Sequence, residues 1–497
     1  VPKPTISQQK ADLKDKYPAK EHAKKVARHL AGQLSAAYGL IYLAGMTELE
    51  TEDSDEPVPF KQRRFFYYLS GVDEPNCAVA YSIENDQLIL FIPEQREGHD
   101  VLYIGQTPTI EECRRRYDVD VIEYNRNRDC YLGRYARMHP NSTLYVLHDK
   151  PEHKPPEIPK GMMVNSRSLF PAMCEARVTK TAYEIELLRK ANNISSFAHR
   201  KVLEHLHNAT NETHIEACFT KECIWQGAKK QAYGIIAASG PNAATLHYGA
   251  NNEDLDGRET VCLDAGCEYK NYASDITRTF PISGTWSAEG KRIYDLVASM
   301  QEQCIEMVKP GIPYKDLQDR AMRVGVEGLL ELGVLKDGTA DEIIEAGTGR
   351  AFFPHGLGHH IGLECHDVDG QVRLLQVGIK SKHQLRSPKR FTFGMFTSFT
   401  RYTDITLSQD TRALESGMVI TIEPGIYFLR YAMDLYKKMP EHNKYIDFDA
   451  VETYYKVGGV RIEDDLLVTD DGYENLTTAP KGEEALELIK KYSSAAK

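Results

Sequence analysis

The sequence predicts an α+β protein of two domains, on three observations. At 497 residues the chain exceeds what one hydrophobic core ordinarily holds. Its first part sets a helical run ahead of several strand-like runs. Its second part opens on a long amphipathic helix and then places strands whose apolar runs are broken by acids and histidines.

The first domain is expected over 1–165. AKEHAKKVARHLAGQL (19–34) has helical spacing, and GLIYLAG, RRFFYYLSG, CAVAYSIEN and QLILFIPE follow as strand-like runs. The acidic ETEDSDEPVP (50–59) reads as a loop, and the polar, Pro-rich HDKPEHKPPEIPKG (148–161) as a domain end or linker. The second domain is expected over 175–497. Thr181 and Glu184 have capping-box spacing, and Ile185, Leu188, Ala191, Ile194, Ala198 and Val202 recur at steps of three and four. A similar run from Ile293 to Met307 stops before Pro310-Gly311. The segment 371–413 is atypical: it holds the basic, aperiodic KSKHQLRSPKR (380–390) and reads as an exposed insertion or retained non-coding sequence, or else as a lid.

Composition narrows the function. With 41% apolar residues the chain is globular. A net charge of -11 argues against a general nucleic-acid or anionic-membrane binder, and no apolar run reaches the ~18 residues of a membrane span. The ten cysteines include no CxxC pair, as expected of reduced thiols. The N-terminal VPKPTISQQKADLKDKYPAK lacks a signal-peptide core, and a cytoplasmic location is expected.

The chemistry gathers in four segments. LDAGCEYKNYASDITRTFP (263–281) reads as a hairpin, and a turn at Tyr269-Lys270 would set Asp264 directly opposite Asp275. Facing Cβ atoms lie ~5 Å apart, so two such carboxylates in an apolar hairpin repel and call for a cation. FFPHGLGHHIGLECHD (352–367) carries His355, His359, His360 and His366 among glycines that argue against a helix. GMVITIEPGIYF (417–428) ends a strand at Glu423 before a Pro-Gly turn. VGGVRIEDDLLVT (457–469) reads as one strand with Arg461 and Glu463 on the same face. Two Asp, two Glu and an imidazole form an oxygen-rich set that suits Mn²⁺ or a similar hard divalent ion better than a structural Zn²⁺. Four carboxylates neutralise two such ions.

In this order LDAG…SDITRTFP, HGLGHHIG…HD, TIEPG and RIEDD resemble the pita-bread metallopeptidases, in their proline-specific branch of aminopeptidase P and prolidase. The resemblance covers nearly the whole chain. It implies a creatinase-like N-terminal domain, a pita-bread catalytic domain and a homodimer. It implies two metal ions, with Asp275 and Glu463 bridging, Asp264 on one ion, and His359 (rather than His360) with Glu423 on the other. His355 and His366 would hold the substrate carbonyl and the intermediate. His247 in ATLHYG would lie near the scissile bond, Tyr233 would line the active site, and Arg461 would orient the bridging acids. Glu423 would serve as general base and then general acid.

The implied activity is hydrolysis of the N-terminal Xaa-Pro bond of peptides, with Xaa-Pro dipeptides as further substrates. The alternative is a strict dipeptidase. There an arginine ahead of EPG would hold the proline carboxylate; Arg412 lies nearby, although Gln409 aligns to that position. A non-catalytic binding module of the same fold would be expected to have lost ligands, and all five are present.

Overall fold

The computed structural model describes residues 11–34, 37–368, 374–375 and 411–495, with the strands Val377–Ile379 and Ile405–Leu407 between. Most of the expected 371–413 insertion, Gln409 included, lies outside the described residues; these two strands pair antiparallel. Among the described residues no helix is long and apolar enough to cross a membrane.

The chain divides into two units. The smaller takes Ala11–Val178, the larger Thr179–Asp367 and the described residues of Arg373–Lys497. In the smaller unit, helix Ala19–Leu34 buries Ala23, Val26, Ala27 and Leu30, the stripe its spacing predicts. A six-stranded mixed sheet runs in the order Val121–Tyr124, Gln87–Ile92, Ala78–Ser82, Gly39–Ala44, Thr143–Val146, Met163–Asn165. Leu40, Tyr42, Ala80, Ile89, Phe91 and Leu144 belong to one packed cluster.

RRFFYYLSG is not a strand. Arg64–Ser70 is a helix, closed by Gly71 in the left-handed conformation (φ 67°). Phe66, Tyr67, Tyr68 and Leu69 are buried, Gly71 N–H donates to the Tyr67 carbonyl, and Ser70 Oγ donates to the Phe66 carbonyl at 2.8 Å.

The larger unit begins with helix Ala182–His205. The Thr181 hydroxyl accepts from the Glu184 N–H, and the Glu184 carboxylate accepts from the Thr181 N–H. Thr181→Ala is expected to cost about 1 kcal/mol, read as a lower urea midpoint. Helices Glu212–Trp225, Ala288–Glu306, Tyr314–Glu331 and Gly482–Ala495 accompany small antiparallel sheets, three of which position the site. One orders Thr277–Pro281, Thr260–Asp264, Ile236–Ser239; another Val419–Ile422, Asp464–Val468, Tyr473–Asn475; the third pairs Gly425–Tyr427 with Gly459–Arg461. The expected single strand 457–469 is therefore two strands in different sheets, broken at Ile462-Glu463. Glu463 bridges to Thr277, which ties the first sheet to the second at the break.

Candidate metal centre

The hairpin carries the first two acids, in a register that corrects the expectation. Lys270 and Asn271 take positive φ (47° and 67°) and make the two-residue turn between Tyr269 and Tyr272. The turn thus sits one residue later than Tyr269-Lys270, so every cross-strand partner moves by two. Asp264 faces Thr277, not Asp275. Asp275, two residues before Thr277, is a diagonal neighbour of Asp264, at the ~7–8 Å of such pairs. That spacing suits carboxylates reaching around something between them better than a head-on clash.

The histidine loop is not helical. It is laced to strand Val419–Ile422: Thr421 N–H donates to the His359 carbonyl, Ile361 N–H to Val419, and Glu423 N–H to Leu357, at 2.8–3.0 Å. Gly358 permits this approach, because a Cβ there would meet the Thr421 carbonyl at 2.3 Å and the Tyr314 hydroxyl at 2.4 Å. The lacing fixes His359 near Glu423. His359 Nδ1 donates to the His360 carbonyl at 3.0 Å, which leaves Nε2 facing Glu423 Oε1 (3.3 Å) and Asp275 Oδ2 (3.5 Å).

Donor atoms of Asp275, His359 and Glu463 lie within 4.8 Å of one another. Asp264 joins through Arg461, whose Nη2 donates to its Oδ2 at 2.8 Å. Arg461 Nε also donates to Thr277 Oγ1 (3.2 Å), and that hydroxyl donates to Glu463 Oε2 (2.6 Å). Arg461 Nη1 donates to the Tyr427 hydroxyl (3.0 Å), which pairs with His355 Nε2 at 2.8 Å. His355 Nδ1 donates to the Gly356 carbonyl at 2.9 Å. Tyr233 donates to Asp264 Oδ1 at 2.7 Å.

Proton affinities show what charge suits the centre. Burial, and then the charges of Asp275, Glu423 and Asp264, raise Glu463 well above the usual carboxylate range. Burial raises Asp264 to about 6 against the opposing pull of Arg461. For Asp275 burial is outweighed by the His359 and Cys365 contacts, and it falls to about 2; Glu423 is lowered likewise by His359. His359 is driven well above its ordinary value by Asp275 and Glu423, against burial. Carboxylates so placed would hold protons without a cation among them, and would release them on binding a divalent ion. The oxygen-rich donor set and its clustering fit such ions.

His355 is lowered to about 4, chiefly by burial, and His366 to about 4, chiefly by the charge of His359. Both stay neutral near pH 7 and offer hydrogen bonds without competing for anionic ligands. His247 lies near enough for its charge to act on both. Its loop is clasped by Glu212, at the start of helix Glu212–Trp225. Oε1 accepts from Ser239 N–H (2.8 Å), Ser239 Oγ (2.7 Å) and Asn242 Nδ2 (3.0 Å); Oε2 accepts from the Tyr248 hydroxyl (2.8 Å) and Glu253 N–H (3.0 Å). Glu212→Gln turns one acceptor into a donor facing donors. It is expected to lose about 1–3 kcal/mol of stability and to lower kcat/KM at unchanged metal content, checked by denaturation, kinetics and metal analysis.

Arg412 is engaged by Glu415, through Nε at 3.0 Å and Nη2 at 2.7 Å. Sequence reasoning missed Thr277, Tyr427, Cys365 and Asp465. Asp465 Oδ2 accepts from the Asp275 N–H (3.0 Å) and Asn192 Nδ2 (2.8 Å), and burial with the Asp275 charge raises it well above the ordinary range. Three consecutive acids, Glu463 to Asp465, inside apolar sequence were its one signal. Asp464 turns elsewhere, to Arg278 Nη2 (2.7 Å) and Lys481 Nζ (2.8 Å).

Buried carboxylates around one imidazole, carried on laced antiparallel strands, define a metal-dependent hydrolase class. The chain belongs to metallopeptidase family M24: that family's model matches residues 186–470, and the model of the aminopeptidase P N-terminal domain matches residues 20–145. It is 48% identical over 479 residues to a probable Xaa-Pro aminopeptidase of Aspergillus clavatus, covering 96% of this chain and 94% of the relative. It is 49% identical over 483 residues to one of Pyrenophora teres f. teres, covering 96% of this chain; there it spans about half of the relative's length, 51%. Its fold is similar to that of Escherichia coli aminopeptidase P with the inhibitor Pro-Leu (TM-score 0.74, 27% identity, 97% of this chain and 100% of that one). It is also similar to a Pseudomonas aeruginosa aminopeptidase (TM-score 0.74, 27% identity, 96% and 99%). The fold is thus the two-domain one of aminopeptidase P, with a pita-bread C-terminal domain.

Proposed function

We propose that the protein removes the N-terminal residue from peptides whose second residue is proline. The observation that carries this is the convergence of Asp275, His359 and Glu463 within 4.8 Å, flanked by Asp264 and Glu423, in a chain of this family. Asp264, Asp275, His359, Glu423 and Glu463 would hold two divalent ions, with Mn²⁺ favoured by the oxygen-rich set. Bound ions would polarise the scissile carbonyl and lower the pKa of a water.

The remaining steps belong to side chains. Glu423 accepts the water's proton and returns it to the proline nitrogen, which in an Xaa-Pro bond carries no hydrogen of its own. Neutral His355 and His366 hold the substrate carbonyl and the tetrahedral oxyanion. Arg461 fixes Asp264 directly and Glu463 through Thr277. His247 and Tyr233 border the scissile bond.

Peptides longer than two residues are the favoured substrates. Arg412, the cation expected to grip a dipeptide's carboxylate, is already paired with Glu415. Pro-Leu, the inhibitor in the similar E. coli structure, is the fragment that an Xaa-Pro-Leu substrate would release. A homodimer in the cytoplasm, with no nucleic-acid or membrane partner, completes the reading; ten free thiols suit a reducing compartment.

The test is hydrolysis of Ala-Pro-Ala against Ala-Pro by Mn²⁺-loaded protein, with Ala-Ala and chelated controls. Cleavage of Ala-Pro-Ala at least as fast as Ala-Pro is expected. Turnover of Ala-Pro alone would make the protein a strict dipeptidase, and no turnover with any divalent ion would end the enzymatic reading.

A further inference from the structure

Cys365 has no part in the reaction above, yet it stands at the centre's edge. Its Sγ–H donates to Asp275 Oδ2 at 2.8 Å. Its sulfur, a ring nitrogen of His359 and a ring nitrogen of His366 all lie within 4.8 Å of one another. The two imidazoles meet edge to face, centroids 4.3 Å apart at 80°. Two nitrogens and a sulfur are a donor set of different character from the carboxylates beside it. Thiolate and imidazole favour Zn²⁺ and softer ions, whereas carboxylates favour Mn²⁺. His366 is exposed and the other two are partly so, which leaves the triad open to an ion from solvent.

We propose that His359, Cys365 and His366 form a second metal site, for Zn²⁺ or Cd²⁺, that competes with the carboxylate centre for His359. The competition follows from the imidazole's own bonding. Nδ1 of His359 is committed to the His360 carbonyl, so Nε2 is the single lone pair either site can use. Binding at the soft site breaks the Cys365 S–H bond. The sulfur electron pair goes to the ion, the proton goes to buffer, and Asp275 loses its thiol donor. A soft ion in excess would thus draw His359 from Glu423 and Asp275 and silence a centre loaded with Mn²⁺. The competition rests on the peptidase reading; the site itself does not, and its test needs no turnover.

The experiment uses the full chain stripped of metal by chelation. Cd²⁺ is titrated while thiolate-to-cadmium absorption in the ultraviolet is followed, in wild type and in Cys365→Ser. Cys130, the exposed cysteine, is replaced by Ser in both to remove its background. The expected result is a saturable band in the parent that Cys365→Ser abolishes. X-ray absorption at the zinc edge of the Zn²⁺-loaded parent needs no Cys365 variant and is expected to show one sulfur neighbour at about 2.3 Å. A band of equal strength in Cys365→Ser, or a zinc shell of nitrogen and oxygen alone, would overturn the site. Excess Zn²⁺ should inhibit Mn²⁺-supported Ala-Pro-Ala hydrolysis at least tenfold more weakly in Cys365→Ser. Equal inhibition alongside a lost band would overturn the competition and leave the site. Absence of turnover in both proteins, with the band present, would strike the peptidase reading instead.

Discussion

Glu463→Gln will leave the metal-free chain at least as stable as wild type near pH 8 while removing its response to divalent ions. The two halves of this result have one cause. Glu463 is buried beside Asp275, Glu423 and Asp264, and those neighbours raise its proton affinity far above that of an exposed glutamate. A folded chain that binds this proton more tightly than the unfolded chain is favoured at low pH. That advantage is lost as pH rises past the unfolded value through the raised folded one. Asp264, raised to about 6, adds a similar slope between about pH 4 and pH 6. Glutamine carries the neutral shape at every pH, so the variant escapes the Glu463 loss. Thr277 Oγ1 still finds an amide oxygen to accept its proton. The ions then have no anionic partner there. Saturating metal at a hundred times its dissociation constant stabilises a single-site protein by about 2.7 kcal/mol, and that gain should vanish. Activity should fall by more than the ~10–100-fold that follows loss of a residue which merely orients a ligand. Thermal melts with and without Mn²⁺ at pH 5 and pH 8, together with metal analysis, check each half. A variant that melted lower than wild type without metal at pH 8 would show that Glu463 is ionised and paired there.

Arg461→Met should have the opposite profile and cost about 3–5 kcal/mol in the metal-free chain. Its guanidinium spends each nitrogen on a different partner: Asp264, the Thr277 hydroxyl and the Tyr427 hydroxyl. Arginine and aspartate are both buried, so removing the cation strands a carboxylate that water does not reach. Asp264 should respond by holding its proton to higher pH. Lysine should recover only part of the loss, because one ammonium cannot reproduce a planar fork aimed at three acceptors. The urea midpoints of Arg461→Met, Arg461→Lys and wild type test this. Equal midpoints for lysine and arginine would mean that charge alone matters at this position.

The parts of the fold that were legible in the sequence are those written in local chemistry. The Thr181–Glu184 cap and the stripe in 19–34 each depend on neighbours within one or two turns, and both stand in the structure. Carboxylates and imidazoles inside apolar runs were legible for the same reason, because each is anomalous where it sits. What could not be read is what depends on partners distant in sequence. The hairpin register turned on whether Lys270-Asn271 or its predecessor bends, a difference of one residue that moved Asp264 from Asp275 to Thr277. The break at Ile462-Glu463 leaves no local mark; it exists because Glu463 bridges to Thr277. Thr277 is an ordinary strand residue until Arg461 arrives from another sheet, and Tyr427 until its own sheet pairs it with the strand that carries Arg461. FFYYL favours strand by composition, yet it is a helix that Gly71 closes in the left-handed conformation.

The short turn at Lys270-Asn271 also constrains how this hairpin can vary. Side chains alternate between the two faces of a strand, so the segment from Asp264 to Asp275 counts residues by parity. Two residues added at the tip would lengthen the ribbon and return Asp275 to the face it shares with Asp264. One residue added would send it to the far side unless a bulge or a three-residue turn took up the extra residue. The hairpin therefore behaves as a ratchet with a two-residue step: its length is free to drift in pairs, whereas a single insertion has to be absorbed locally.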